Sequence, residues 1–269
     1  MGCYAGSKID LAATNMVLCL DARNPNSYIG SGTNWRNLSL GIGTKHFTLQ
    51  ETTAGHGYTY DGLTGFIGFR RAMPPAGESG GWATLTTTST DLAASTFLYQ
   101  DHTMELWARI RNINPTNHDA NETIAGLVIV TGQHCGFMYW GGPTAGYTVG
   151  YQIWNGNSAI VSAEFRGGTT GTEPVVQGRW HQLVATRSGL TLTCFVDGVL
   201  VATARALTAS WTQGGAVGNT MKICQGNAPA SSWTYAGDAD IALLRCYKTV
   251  LTQAQILENY AATRGRFGL

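Results

Sequence analysis

Residues 180–204 read WHQLVATRSGLTLTCFVDGVLVATA, three apolar-rich runs separated by the glycine turns Ser188-Gly189 and Asp197-Gly198. An Asp-Gly pair between strand-like runs favours a two-residue turn with positive φ, because its twist matches that of the strands it joins. The stretch predicts a three-stranded antiparallel meander. Composition points the same way. Charged residues make up 12% of the chain, about half the usual share, while Gly (35 of 269) is about double its average. Low charge with abundant Gly, Thr, Trp and Tyr suits short strands joined by tight turns. The length suffices for one large all-β domain, or two smaller ones, with a substantial core.

Further strand candidates recur with turn signals between them: Met16–Asp21, Gly57–Tyr60, Thr103–Arg111, Ile124–Thr131, Gly136–Trp140, Tyr147–Trp154, Ala159–Phe165, Thr220–Cys224 and Ala239–Tyr247. That density predicts a sandwich or jelly roll. One segment breaks the pattern. In KTVLTQAQILENYAATRGRFGL, Thr252 is an N-cap with Gln255 completing a capping box, Ile256, Leu257 and Tyr260 recur at helical spacing, and Gly265 marks the stop. The expected fold is an antiparallel β-sandwich jelly roll with one short C-terminal helix. Within Thr103–Arg111, Met104, Leu106, Ala108 and Ile110 alternate onto a core-facing side, leaving Glu105, Trp107, Arg109 and Arg111 on the other. That second face is either covered by neighbouring structure or open.

A net charge of +1, from 17 basic and 16 acidic residues, provides no footprint for a nucleic-acid backbone or an anionic membrane. No stretch reaches the roughly 20 apolar residues that span a bilayer, so neither nucleic acid nor membrane insertion is expected. The N-terminus lacks the basic and apolar regions of a signal peptide, so a protein made without export is expected. Six cysteines, at 3, 19, 135, 194, 224 and 246, contain no C-x-x-C pair. Buried thiols are the expectation, rather than a disulfide or metal site.

Several motifs, in order, resemble the laminin G-like, concanavalin A-like lectin/glucanase superfamily. They are VLCLDARNPNSYIGSGTNWRNLS (17–39), YDG (60–62), HTMELWARI (102–110), GRWHQLVATRSGLTLTCFVDGVLVATA (178–204) and GDADIALLRCYKTVLTQAQILENY (237–260). The resemblance implies a concanavalin A-like jelly-roll domain over residues 15–263, with an N-terminal arm over 1–14 and a C-terminal tail over 264–269. DARNPNSYIGSGTNW and ENYAATRGRFGL are similar to versions of this domain in virion structural proteins of tailed phages. That likeness implies a virion location and, as partners, other capsid or tail proteins, with a homo-oligomer as one arrangement. The apolar end Arg266–Leu269 is then expected to dock on the particle.

Glucanases of this superfamily need two carboxylates about 5–5.5 Å apart, alternating along one strand. Here the matching strand carries only Glu105, with Trp107 and Arg109 in the other positions, so no enzyme activity is expected. No Gly-x-Ser-x-Gly, His-Glu-x-x-His or P-loop motif is present. His181 reads as a satisfied structural residue. Calcium occurs at the rim of some relatives, which points to Asp61, Asp238 and Asp240, yet no dense Asp/Asn loop supports them. No metal or other cofactor is expected.

Binding remains. Sugars present apolar C–H faces to aromatic rings and hydroxyls to nearby polar groups. Trp35, Trp107 and Trp180 match the family framework. Trp82, Trp140, Trp154, Trp211 and Trp233 do not, and several adjoin loops rich in Gly, Ser and Thr, a composition that suits an adaptable recognition surface. The expected glycan contacts are Trp140, Tyr147, Trp211, Trp233 and Tyr235, in loops at the sandwich ends, with host-surface glycans as ligands. The alternatives are a purely architectural capsid cement protein without ligand and, behind it, a glycan-degrading enzyme.

Overall fold

The computed structural model describes residues 15–39, 46–50, 57–69, 82–86, 100–111, 122–130, 133–142, 146–155, 159–168, 174–205, 220–224 and 238–269. Two sheets form a sandwich. Sheet A contains β1 (Met16–Asp21), β4 (Tyr58–Asp61), β5 (Phe66–Phe69), β7 (His102–Ile110), β13 (Trp180–Ser188), β14 (Thr191–Val196), β15 (Val199–Arg205) and β17 (Ala239–Tyr247). Its order is β15-β14-β13-β7-β17-β5-β4, with β1 also pairing β17. Sheet B contains β2 (Asn34–Arg36), β3 (His46–Gln50), β6 (Trp82–Thr86), β8 (Glu122–Val130), β9 (Gln133–Gly142), β10 (Gly146–Asn155), β11 (Ala159–Gly168), β12 (Val175–Val176) and β16 (Thr220–Ile223). Its order is β12-β11-β10-β9-β8-β16-β6-β3-β2, antiparallel except for the short β11–β12 pair. The architecture is the expected antiparallel jelly-roll sandwich.

The meander forms as read. Asp197 and Gly198 both adopt positive φ (53° and 78°), as a type I′ turn requires. The first turn differs by one residue: Ser188 stays in β13, and Gly189 (φ 56°) with Leu190 makes the reversal. Asp197 fastens the second turn to β13, because its Oδ1 accepts from Gln182 N at 2.8 Å and its own N–H donates to Gln182 O at 2.9 Å.

Met104, Leu106, Ala108 and Ile110 of β7 enter the core between the sheets, where they meet Trp35, Phe47, Phe137, Tyr151 and Met221. The opposite face of sheet A carries a second apolar layer. Trp107, Trp180, Phe66, Leu243 and Ile256 are buried there, with Tyr260 and Phe267 packed against them. Every residue of β17 is buried as a result. A bulge at Ala242 shifts its alternation: Ile241 and then Leu244 face the inter-sheet core, while Ala242 and Leu243 join the outer layer.

The helix α1 (Gln253–Thr263) covers this outer layer. Its capping box is present: Thr252 Oγ1 accepts from Gln255 N at 3.3 Å, and Gln255 Oε1 accepts from Thr252 N at 2.9 Å. Ile256 is buried and Tyr260 half-buried, whereas Leu257 is 50% exposed. Leu257 lies against the meander turn, where a Cβ on Gly198 would sit 2.8 Å from its Cδ1. Gly265 does not stop the helix. The chain continues into a 3-10 turn, Arg264–Phe267, that ends at Gly268 with φ 73°.

The C-terminal segment is not a projecting tail. Phe267 stacks on Trp107 with ring centroids 4.5 Å apart and packs against Trp180 at 4.6 Å. Arg266 Nη1 donates to Asp21 Oδ1 at 2.8 Å, its Nε donates to Thr64 O at 2.9 Å, and its Nη2 reaches Gly65 O. Of the residues expected to dock on a particle, Arg266 and Phe267 are therefore committed to the domain, while Gly268 and Leu269 are exposed. Phe267→Ala is expected to lower the unfolding free energy by about 2–4 kcal/mol in urea titrations followed by tryptophan fluorescence. Native emission should also shift to the red as Trp107 and Trp180 gain water. An unchanged midpoint would restore the projecting tail.

Candidate functional site

Glu105 lies on the strand that would carry catalytic carboxylates, and it is wholly buried. Four residues surround it. Gln182 Nε2 donates to Oε1 at 2.9 Å, Asn259 Nδ2 donates to Oε2 at 2.9 Å, the Tyr247 hydroxyl donates to Oε2 at 3.3 Å, and Arg245 Nη1 lies 3.3 Å from Oε1. Sheet register sets Arg245 directly opposite Glu105 and Gln182 opposite Trp107, and Asn259 descends from α1. Burial first, and then the Glu105 charge, hold the Tyr247 phenol well above its ordinary value, so it remains a neutral donor. This carboxylate is a structural hub beneath a helix, out of reach of a substrate.

The rest of that face is committed in the same way. Trp107 is fully buried under Phe267 and Tyr260, whose ring lies parallel to it at 5.8 Å. Of the two sequence alternatives for this face, the covered one holds. Asp240 is buried between Arg109, whose Nε donates to Oδ2 at 2.7 Å, and Arg111. A Cβ on Gly68 would approach Asp240 Oδ1 to 2.6 Å, so this close packing needs glycine. The Arg109 guanidinium also lies over the rings of Phe66 and Trp180, at 5.1 and 5.3 Å. Asp61 Oδ1 accepts from Leu63 N at 2.9 Å and Thr64 N at 3.0 Å, capping its own turn. Among the described residues, no group of three or more His, Cys, Asp or Glu side chains is placed to hold a metal ion.

His181 joins two elements. Its Nε2 accepts from Val176 N at 3.0 Å, so Nδ1 carries the proton shared with Asp197 Oδ2 at 2.8 Å. An imidazole with both nitrogens engaged by the fold has no lone pair left for a substrate proton. Cys19, Cys194, Cys224 and Cys246 are buried thiols. Burial pushes Cys194 up to about 12, which leaves it a protonated packing residue.

Among the expected glycan contacts, Trp211, Trp233 and Tyr235 lie outside the described residues. Register pairs position 140 with Thr148 and position 147 with Gly141 on adjacent strands. By the two-residue repeat of a strand, position 147 falls on the side of Val149, Tyr151 and Ile153, which are core residues. Position 140 falls on the opposite side, the outer face of sheet B. Positions 82 and 154 share that outer face.

Between these tryptophan positions runs a row that sequence reading missed. Thr48, Thr84, Lys222, Gly126, Gly136, Gln152 and Ser162 stand in register across neighbouring strands from β3 to β11. At about 4.8 Å per strand the row is about 29 Å long. Thr48 is exposed, Lys222 half-buried and Gln152 buried. Burial lowers the Lys222 pKa. The available signal was Gly126 and Gly136 inside strand-like runs, since interior glycine weakens a strand and marks a place where something approaches its backbone.

The Glu105 hub makes a direct prediction. Glu105→Gln leaves Arg245 buried without its anion and should cost about 3–5 kcal/mol of stability in urea unfolding. Product profiles from polysaccharides incubated with either protein should be identical. Loss of a hydrolytic product at unchanged stability would instead identify a catalytic acid.

Comparison with known proteins places this geometry. The fold resembles botulinum neurotoxin type C, whose cell entry depends upon interaction with two ganglioside molecules (14% identity, TM-score 0.67, 94% of this chain and 53% of that one). It also resembles the binding domain of botulinum neurotoxin DC in complex with rat synaptotagmin II (10%, 0.63, 93% and 52%) and the serotype D binding domain (10%, 0.62, 93% and 52%). The chain spans about half the length of these structures, and at such identities the likeness is one of fold. No curated protein sequence matches the chain. Residues 79–257, more than half of the chain, match the family model described as Concanavalin A-like lectin/glucanases superfamily, and the chain belongs to that superfamily.

Proposed function

We propose that this is a non-enzymatic, lectin-type domain that binds carbohydrate. The superfamily contains lectins and glucanases, and the observation that favours the lectin reading is the state of Glu105. A retaining glycosidase needs two accessible carboxylates about 5–5.5 Å apart. Glu105 is sealed by four partners, and its strand neighbours at alternate positions are Trp107 and Arg109. With that face of sheet A closed, recognition falls to the outer face of sheet B and the connections around it. Tryptophan positions 82, 140 and 154 flank a polar row there whose floor is partly glycine. Such a surface suits stacking against sugar rings, with the exposed Thr48 hydroxyl and the half-buried Lys222 amine to meet their hydroxyls.

In this reading the domain is displayed on a tailed-phage particle as a capsid decoration or tail-associated protein. Other virion proteins are its partners and host-surface glycans its ligands. The support is the resemblance of DARNPNSYIGSGTNW and ENYAATRGRFGL to virion proteins. A purely architectural cement role is the second reading. Val199 (60% exposed), Leu200 (48%) and Leu257 (50%) favour it, because they offer apolar surface beside the 197–198 turn for a subunit contact.

Native mass spectrometry against a panel of bacterial surface oligosaccharides separates these readings. Adducts of intact sugar are expected, with no cleaved products, and Trp140→Ala should weaken them about tenfold or more. An assembled protein that ignores every sugar would leave the architectural role.

A further inference from the structure

Two histidines of sheet A each spend a ring nitrogen on sheet B. His102, at the start of β7, is buried, and its Nδ1–H donates to Gln100 O at 2.9 Å, since a carbonyl can only accept. Its Nε2 therefore accepts from the Tyr151 hydroxyl of β10 at 3.0 Å. His181, on β13, accepts at Nε2 from Val176 N of β12 at 3.0 Å. Both acceptor bonds exist only while the imidazole is neutral.

The groups that face the two rings differ. Arg187 of β13 stands opposite His102 in register, β10 brings Tyr151, and Cys194 of β14 meets the Tyr151 backbone. Asp101, beside His102, is engaged by Gly189 N at 2.6 Å. A second proton on His102 would set a cation opposite Arg187, and like charges across a strand pair destabilise a sheet. Around His181 the turn contributes Asp197, whose Oδ2 lies 2.8 Å from Nδ1, and β13 contributes the exposed Arg179. β7 sets Ala108 opposite, and β12 brings two valines. The bond to Asp197 survives protonation of the ring, because Nδ1 donates in either state. The bond from Val176 does not: two N–H groups would then point at each other.

β12 has little else to hold it. It is two residues long, ends sheet B, and stands in register with Gly167 and Gly168 alone. Both its valines are buried. We propose that His181 is an acid-operated latch on β12. A proton taken up from solvent at Nε2 expels the Val176 N–H and frees residues 175–176 from sheet A, while the His102–Tyr151 bond keeps the sandwich closed. The response is local, and it does not depend on what the outer face of sheet B binds.

Nuclear magnetic resonance of the whole 15N-labelled protein at about pH 8 and about pH 5, which bracket the ordinary histidine range, tests the latch. Ring-nitrogen correlations report which nitrogens carry protons, and amide exchange, corrected for its intrinsic pH dependence, reports the backbone. As His181 becomes doubly protonated, exchange at Val176 should quicken about tenfold, the worth of one hydrogen bond. Exchange at Leu106 in the middle of β7 should hold, and His102 should keep a single proton. In His181→Gln the side-chain carbonyl can still accept from Val176 N but takes no proton, so protection there should be equal at both pH values. A charged His181 with Val176 still protected, a His181 that stays neutral at pH 5, or the same quickening in the glutamine variant overturns the latch. If that variant does not fold, the coincidence of ring charge and Val176 exchange in the natural sequence decides alone.

Discussion

A carboxylate taken out of water costs several kcal/mol unless donors replace its hydration. Glu105 meets that requirement through residues far apart in the chain. Gln182 comes from the meander, Arg245 and Tyr247 from the closing strand, and Asn259 from the terminal helix. The hydrogen bond from Asn259 joins positions 154 residues apart. Seating α1 therefore completes the coordination of a charge in the middle of sheet A, and the same seating lays Tyr260 and Phe267 over Trp107. Without the helix, a buried anion would lose a donor and a tryptophan would lose its cover together. This coupling makes the last strand, the helix and the 3-10 turn one unit with the sheet.

Charge follows the same economy. The chain carries 17 basic and 16 acidic residues, and among the described residues seven of them form arginine–carboxylate pairs within sheet A or at its ends. Asp21 pairs with Arg266, Glu105 with Arg245, and Asp240 with Arg109 and Arg111. Each pair joins separate segments, so these charges act as fasteners. In the proposed lectin reading, a chain with little charge that spends some of it internally suits a neutral or weakly polar ligand better than a polyanion.

Legibility in the sequence tracked the range of the forces involved. The capping box at Thr252 and Gln255 was readable because its two hydrogen bonds lie within four residues. The meander and the inward face of β7 were readable because turn chemistry and two-residue alternation are local. The short strands Asn34–Arg36, His46–Gln50, Phe66–Phe69 and Trp82–Thr86 were not. Phe66–Phe69 is buried on both faces, so FIGF shows no alternation to detect. Gly265 looked like a helix stop, yet the chain turns at Gly268, because Arg266 and Phe267 find partners on Asp21 and Trp107. For Trp107 itself the sequence left two outcomes open, and only the distant C-terminal residues resolve them. In the candidate sites, the aromatic types were visible, but their gathering on one face depends on register between strands that are not consecutive.

The two sheets then divide the work by what lies on their outer faces. On sheet A each outward ring has an intramolecular partner: Trp107 meets Phe267 and Tyr260, and Trp180 meets Phe66 and Phe267. Such rings contribute to stability and are consumed by it. On sheet B, position 136 is a glycine flanked in register by Gly126 and Gln152. Glycine inside a strand sacrifices stability, and that sacrifice falls on the face that carries no covering helix among the described residues. In the proposed lectin reading, stability drawn from a closed sheet A offsets the cost of glycines in sheet B, and this division lets a jelly roll whose Glu105 is sealed serve in binding.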